Sequence, residues 1–182
     1  GSAMPLGGSG IHIVGNTVTQ ANVHINVTDH CFSFASAPLP CAMTIQGFKL
    51  TFTGSYSGIY LSANGMITSS YINMAGGSTG GYQGAYSAYG PGSMIRISGG
   101  QVLSGNMSCY AQAFWGGVIW YYGAGTVTLT GTPAFSWIGH FADLVSSIYC
   151  NGTTFTGSAT GACYYVSGNS VISTGGGGAN FL

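Results

Sequence analysis

One pattern recurs along this chain: apolar, any, apolar, any, Gly, any, any, apolar. Six segments carry it: "IHIVGNTV" around Gly15, "MTIQGFKL" around Gly47, "IRISGGQV" around Gly99, "VTLTGTPA" around Gly131, "IYCNGTTF" around Gly152 and "YYVSGNSV" around Gly168. A degenerate copy, "MITSSYINM", puts Ser69 at the glycine position. Alternation at period two makes a short strand with one buried face. The glycine permits positive φ and a sharp turn, and two residues later an apolar side chain points inward again. The central positions lie roughly 16 to 32 residues apart, within the range of repeat architectures. Recurrence without intervening helices predicts a solenoid of stacked coils, each about 4.8 Å from the next. Seven or eight coils would give a prism on the order of 35 Å long. The alternative is a β-sandwich, which also has many short strands punctuated by turns.

Composition agrees with an all-β chain. Gly, Ser, Thr, Asn, Val, Ile and Tyr dominate, a palette of strands and turns. Residues 5–182 are expected to form one domain, and Gly1–Met4, "GSAM", look like a scar left by tag cleavage. The formal net charge is zero, from Asp29, Lys49, Arg96 and Asp143, where a typical globular chain is about a quarter charged. With no basic stripe, nucleic acid is not an expected partner. Membrane insertion is not expected either: the longest apolar stretch, Ala111 to Ala124, falls short of the roughly 20 residues a spanning helix needs and contains Gly116, Gly117 and Gly123.

Between the copies lie Gly- and Ser-rich loops. The longest, "GGSTGGYQGAYSAYGPGS" from Gly76 to Ser93, reads as a solvated protrusion or a tyrosine-bearing contact loop. The proline-stiffened "ASAPLPC", Ala35 to Cys41, breaks strand pairing. The five cysteines, Cys31, Cys41, Cys109, Cys150 and Cys163, form no CxxC pair and read as small buried apolar residues; a Cys31–Cys41 bridge is possible. The Asn-x-Ser/Thr sites at Asn26, Asn106 and Asn151 are expected by chance in so polar a chain.

The largest aromatic concentration is "FWGGVIWYYG", Phe114 to Gly123. Trp115, Trp120, Tyr121 and Tyr122, with Trp137 beyond, are the candidate ligand-binding residues. Core packing and a subunit interface compete with that reading. Aromatic faces with polar tips suit sugars, whose C–H faces lie on rings. In a strand, Trp120 and Tyr122 share one face and Tyr121 takes the other.

For catalysis, "WIGHFAD" places His140 close to Asp143, half of a triad. The only other carboxylate, Asp29, lies about five repeats away, on the order of 20 Å by coil spacing, too far for two-carboxylate hydrolysis at about 5 to 10 Å. His140, Asp143 and Asp29 are therefore candidates only if the chain is an enzyme. His12 and His24 sit alone in strand-like segments, and His30 and Cys31 point to opposite faces. No standard ligand spacing appears, so neither a metal nor another cofactor is expected.

The closing stretch, Asn151 to Leu182, contains the "NGTTFTG" turn, the "SGNSVIS" strand pair and the terminal "GGGGANFL". It resembles the closing segment of right-handed, single-stranded parallel β-helix proteins of phage and prophage tail spikes and tail fibres. The resemblance covers about a sixth of the chain. It implies a homotrimer on the virion, contacts with other tail proteins and with host surface polysaccharide, and action outside the cell. The function expected first is a structural, receptor-binding tail module without its own hydrolase site. A polysaccharide-cleaving tail spike is the second reading, against which the scarcity of carboxylates counts. An ice-binding solenoid is the third: Thr51 with Thr53, Thr126 with Thr128 and Thr154 with Thr156 would have to stack into a flat array.

Overall fold

In a computed structural model, which describes residues 10–35, 38–39, 41–77, 79–80, 83–123 and 125–175, the chain winds into a parallel β-solenoid of about six turns. The tag-scar residues and nearly all of "GGGGANFL" lie outside the described residues. Each coil contributes one strand to each of three faces. Face A holds β1 (Ile11–Val14), β4 (Met43–Gln46), β7 (Gly65–Ser70), β10 (Ser93–Ser98), β13 (Val118–Tyr121), β16 (Ser147–Tyr149) and β19 (Val171–Ser173). Face B holds β2 (His24–Val27), β5 (Lys49–Phe52), β8 (Asn73–Gly76), β11 (Gln101–Leu103), β14 (Thr126–Leu129) and β17 (Thr154–Thr156). Face C holds β3 (Phe32–Phe34), β6 (Ile59–Leu61), β9 (Gly84–Tyr89), β12 (Met107–Phe114), β15 (Ala134–Asp143) and β18 (Thr160–Val166). Among the described residues every strand pairing is parallel, which replaces the β-sandwich alternative with the solenoid.

The registers show what holds the coils. On face A one inward column reads Ile11, Met43, Ile67, Ile95, Ile119, Ile148, Ile172. On face B, Ile25, Leu50, Met74, Leu103 and Leu129 stack in the same way. Burying each such side chain contributes roughly 1.5–3 kcal/mol. Partners along the isoleucine column are 32, 24, 28, 24, 29 and 24 residues apart, so the apolar register, and not a fixed repeat length, sets the coil.

The corner from face A to face B explains the glycine pattern. Extending the registers aligns Gly15, Gly47, Tyr71, Gly99, Gly123 and Gly152. Of these, Gly47, Gly99, Gly123 and Gly152 have φ between 65° and 83°. Gly15 serves a different need: a Cβ there would sit 2.3 Å from the Gly47 carbonyl oxygen. Three details of the sequence reading change. Ser69 is a buried strand residue, and Tyr71, at φ 52°, occupies the corner in its place. Gly131 and Gly168 belong to other corners, so counting every copy as a coil gives seven or eight where the structure has about six. The expected loop from Gly76 to Ser93 contains β9, whose Tyr86 is fully buried.

No disulfide joins Cys31 and Cys41, and both thiols are free. Burial pushes the thiols of Cys31 and Cys150 up to about 12, the form expected of inert packing residues.

Candidate functional site

Three-faced winding separates the aromatics that are neighbours in sequence. Tyr121 points into the solenoid, only 2% exposed, so it is a core residue and not a surface ligand contact. Trp120 and Tyr122 lie outside face A, and Trp115 and Trp137 lie by face C. The candidate ligand residues therefore form two separate surface groups and one core contact.

Face C carries a feature that no local stretch of sequence displays. His30, Tyr60, Tyr89, Phe114, Phe141 and Tyr165 come from six successive coils and form one continuous ladder of rings. Successive centroids lie 4.6, 6.4, 5.0, 6.1 and 5.7 Å apart. Four of the five steps are stacked within 25° of parallel. Parallel pairing sets Tyr89 on Phe114 and Phe141 on Tyr165 at strand spacing, and the remaining steps join rings from adjacent outward columns of neighbouring coils. Trp137 tilts against Phe141 at 4.5 Å, and Trp115 meets Tyr89 edge-on at 5.1 Å.

Thr79 and Gln83, ahead of β9, lie against this face. Ser136 donates to the Thr79 carbonyl at 2.7 Å and Ser108 to the Gln83 carbonyl at 3.0 Å. Beside these contacts lies a groove of about 460 Å³ lined by Gln83, Tyr89, Gln112, Phe114, Trp137, Phe141 and Asp143. The floor is aromatic and the three polar groups converge on it. Gln112 is 4% exposed, and its Oε1 has no hydrogen-bond partner among the described residues. A buried acceptor left unpaired costs about 1–3 kcal/mol, so this amide is set to receive a donor. Asp143 is already engaged: it accepts hydrogen bonds from Ser167 Oγ and, at 2.8 Å, from the Leu144 amide. Burial, then repulsion from Tyr60, raises the Tyr89 phenol above its ordinary value, so it stays a neutral hydrogen-bonding group.

Trp115 sits at the corner from face C to face A. It is 53% exposed and held at φ 51°. Gly90, Leu144 and Gly168 align with it in neighbouring coils, and all have positive φ. Glycine meets this corner without strain in two coils. A tryptophan presented to solvent in a strained conformation points to a role other than packing.

The dyad expected of His140 and Asp143 does not form. Three positions apart on β15, they face opposite sides of the sheet: His140 is buried inside and Asp143 lines the outer groove. His140 Nε2 lies 2.8 Å from the Tyr121 hydroxyl. Burial pushes the imidazole down to about 4 against an opposing hydrogen bond to the Cys163 backbone, and it raises the Tyr121 phenol. Both groups are therefore neutral, with the phenol donating. Asp29 lines a separate hollow with Asn26, Val27, Thr28 and Thr53. It sits in the first coil and Asp143 in the fifth, roughly 19 Å apart by coil spacing alone.

The threonine pairs stack only locally. Thr126 pairs with Thr154 and Thr128 with Thr156, whereas Thr51 lies between Asn26 and Gly76, and the column containing Thr128 continues through Val102, Asn73, Lys49 and His24. Face B is thus not a uniform threonine array. Among the described residues no three His, Cys, Asp or Glu side chains gather to hold a metal, and no helix is long and apolar enough to cross a membrane.

Fold and site together define a parallel β-solenoid bearing an external aromatic groove. No protein-family model, curated protein or solved structure matches the chain.

Proposed function

We propose that this protein is a rigid recognition module whose face C groove binds a saccharide. The observation that carries the reading is the unpartnered Gln112 Oε1 above a floor of Tyr89, Phe114, Phe141 and Trp137. A sugar supplies both complements at once. Its apolar C–H groups pack on Trp137 and along the ring edges of the stacked ladder, and its hydroxyls donate to Gln112 Oε1 and accept from the Gln83 amide, whose Oε1 already accepts from Ser57 Oγ at 3.0 Å. Rings already stacked on one another lose little freedom on binding, which favours affinity.

The setting proposed for this activity is a phage tail spike or fibre contacting host surface glycans, the role implied by the C-terminal resemblance. A homotrimer on the virion is part of that proposal. Binding without cleavage is the favoured form, because His140, Asp143 and Asp29 occupy three separate environments.

A glycan array probed with the purified protein tests the reading. Binding to at least one neutral saccharide is expected, with Trp137→Ala weakening it at least about tenfold, the equivalent of about 1.4 kcal/mol. Unchanged binding by Trp137→Ala and Gln112→Leu removes the groove as the site. New reducing ends or unsaturated sugars after incubation with host polysaccharide establish cleavage instead.

A further inference from the structure

Face A carries a second arrangement, independent of the face C groove. Arg96 is one of only two cationic Lys or Arg side chains in the chain. It lies on the outer side of β10, in register with Trp120 of the next coil. Its guanidinium carbon is 4.9 Å from the Trp120 ring centroid and 4.6 Å from that of Tyr122, and the two rings meet edge-to-face at 5.0 Å. Its Nε is buried without a hydrogen-bond partner. Both side-chain carboxylates are engaged elsewhere, Asp29 with the His30 amide and Asp143 with Ser167 and the Leu144 amide. Arg96 is thus a cation held by two rings, with no anion paired to it among the described residues.

Beside it lies a groove of about 340 Å³ lined by Met94, Val118, Trp120, Tyr149 and Asn151. Trp120 belongs to both, forming a wall of the groove and a platform for the guanidinium. With Nε buried against the rings, the terminal Nη–H groups are the donors left for a ligand. That planar fork matches a planar carboxylate, forming two parallel charge-assisted hydrogen bonds. The aromatic wall and the Asn151 amide supply what a pyranose ring needs beside such a group.

We propose that face A is a binding site for an acidic saccharide. The sugar carboxylate pairs with Arg96, and the ring lies against Trp120 and Tyr149. The guanidinium is pre-positioned by its rings, so geometry matters as well as charge.

Isothermal titration with hexuronic-acid oligosaccharides, their carboxyl-reduced neutral counterparts and sulfated oligosaccharides of equal length tests this. Acid-bearing oligosaccharides are expected to bind, with affinity falling as salt rises, and the reduced counterparts to bind at least about tenfold more weakly. Arg96→Gln is expected to abolish that preference. Arg96→Lys, which keeps the charge and loses the fork, is expected to lose most of it. Matched thermal melts establish that both variants fold. Equal affinity for acid and reduced forms, tighter binding of the sulfated form, or an Arg96→Gln variant that binds the acid unchanged overturns the assignment. Neutral saccharides bound at face C should be unaffected by Arg96→Gln, so a failure on one face is distinguishable from a failure on the other.

Discussion

Individual side chains in this solenoid are placed at a cost that identifies what they do. Val145 is β-branched, 71% exposed and held at φ 64°, next to Leu144 at φ 55°. At the aligned position of the next coil stands Asn169, at φ 57°, a residue type that tolerates this conformation. Val145→Asn is therefore expected to raise stability by up to about 1 kcal/mol, read from the denaturation midpoint; a loss of stability would mean that Val145 packs against more than the chain itself provides. The opposite sign is expected in the interior. Tyr86 Oη donates to Gln101 Oε1 at 2.8 Å and lies 3.0 Å from Ser69 Oγ, while Gln101 Nε2 donates to the Ser98 carbonyl at 2.8 Å. Tyr86→Phe strands the Gln101 oxygen and should cost about 1–3 kcal/mol by chemical denaturation. His140 sets a pH dependence. Its folded pKa is pushed down to about 4 from an ordinary 6.5, so between these values the unfolded chain holds a proton that the folded chain does not. Stability is complete above about pH 6.5, falls as pH drops toward 4, and levels off below. Between pH 7 and 4.5 the loss should be on the order of 2–3 kcal/mol. Burial lowers the His30 value too, so His140→Gln should flatten the profile without removing all of its slope.

Strands and corners show what a sequence of this kind discloses. At the face C to face A corner, Gly117 cannot take a side chain without displacement: a Cβ there would stand 2.2 Å from the Ala88 carbonyl oxygen of the neighbouring coil. Gly117→Ala must separate two stacked coils, and its melting temperature should fall by several degrees, a loss of about 1 kcal/mol moving it about 2–4 °C in a chain of this size; an unchanged melt would mean that the corner relaxes freely. Such glycines, the period-two strands and the opposite facing of Tyr121 against Trp120 and Tyr122 were all readable locally, because each depends on neighbours a few positions away. The aromatic ladder was not. Tyr60, Tyr89, Phe114, Phe141 and Tyr165 are separated by 29, 25, 27 and 24 residues, and they alternate between two neighbouring outward columns, since Tyr60 pairs with Ser87 and Phe114 with Asp143, so no fixed spacing announces them. An aromatic recurring at about the coil length, once the corners are aligned, is the signal that reveals it. The Gly76 to Ser93 stretch misled for a different reason. Its Gly, Ser and Ala residues resemble a loop, yet small side chains such as Ala85, Ser87 and Ala88 suit a strand that is buried on both sides, with Ser87 Oγ accepting from Ser57 Oγ and the Gly84 amide. Ser69 failed as a corner because the motif tolerates an apolar residue two places late, and Tyr71 accepts the left-handed turn.

Along the strands each coil rests on those above and below it, so stability propagates largely as a nearest-neighbour sum, with a longer link where Ser136 of β15 donates to the Thr79 carbonyl two coils away. The inner positions of β4 to β16 are fully buried, while β1 to β3 and β18 keep partial exposure along their inner sides. Amide hydrogen exchange should therefore be slowest in coils two to five and faster in the first coil and in β18; uniform protection would contradict coil-by-coil assembly. Coil stacking bears on the proposed recognition, because the two proposed saccharide sites lie on different faces of one solenoid. The three tryptophans report on them separately: Trp137 lines the face C groove, Trp115 flanks its ladder, and Trp120 belongs to face A. The most direct test is therefore a titration with a neutral oligosaccharide that the protein binds, following the three indole N–H signals by NMR. Saturable shifts at Trp137, with smaller ones at Trp115 and none at Trp120, are the predicted result. Binding that leaves Trp137 unmoved would contradict the account.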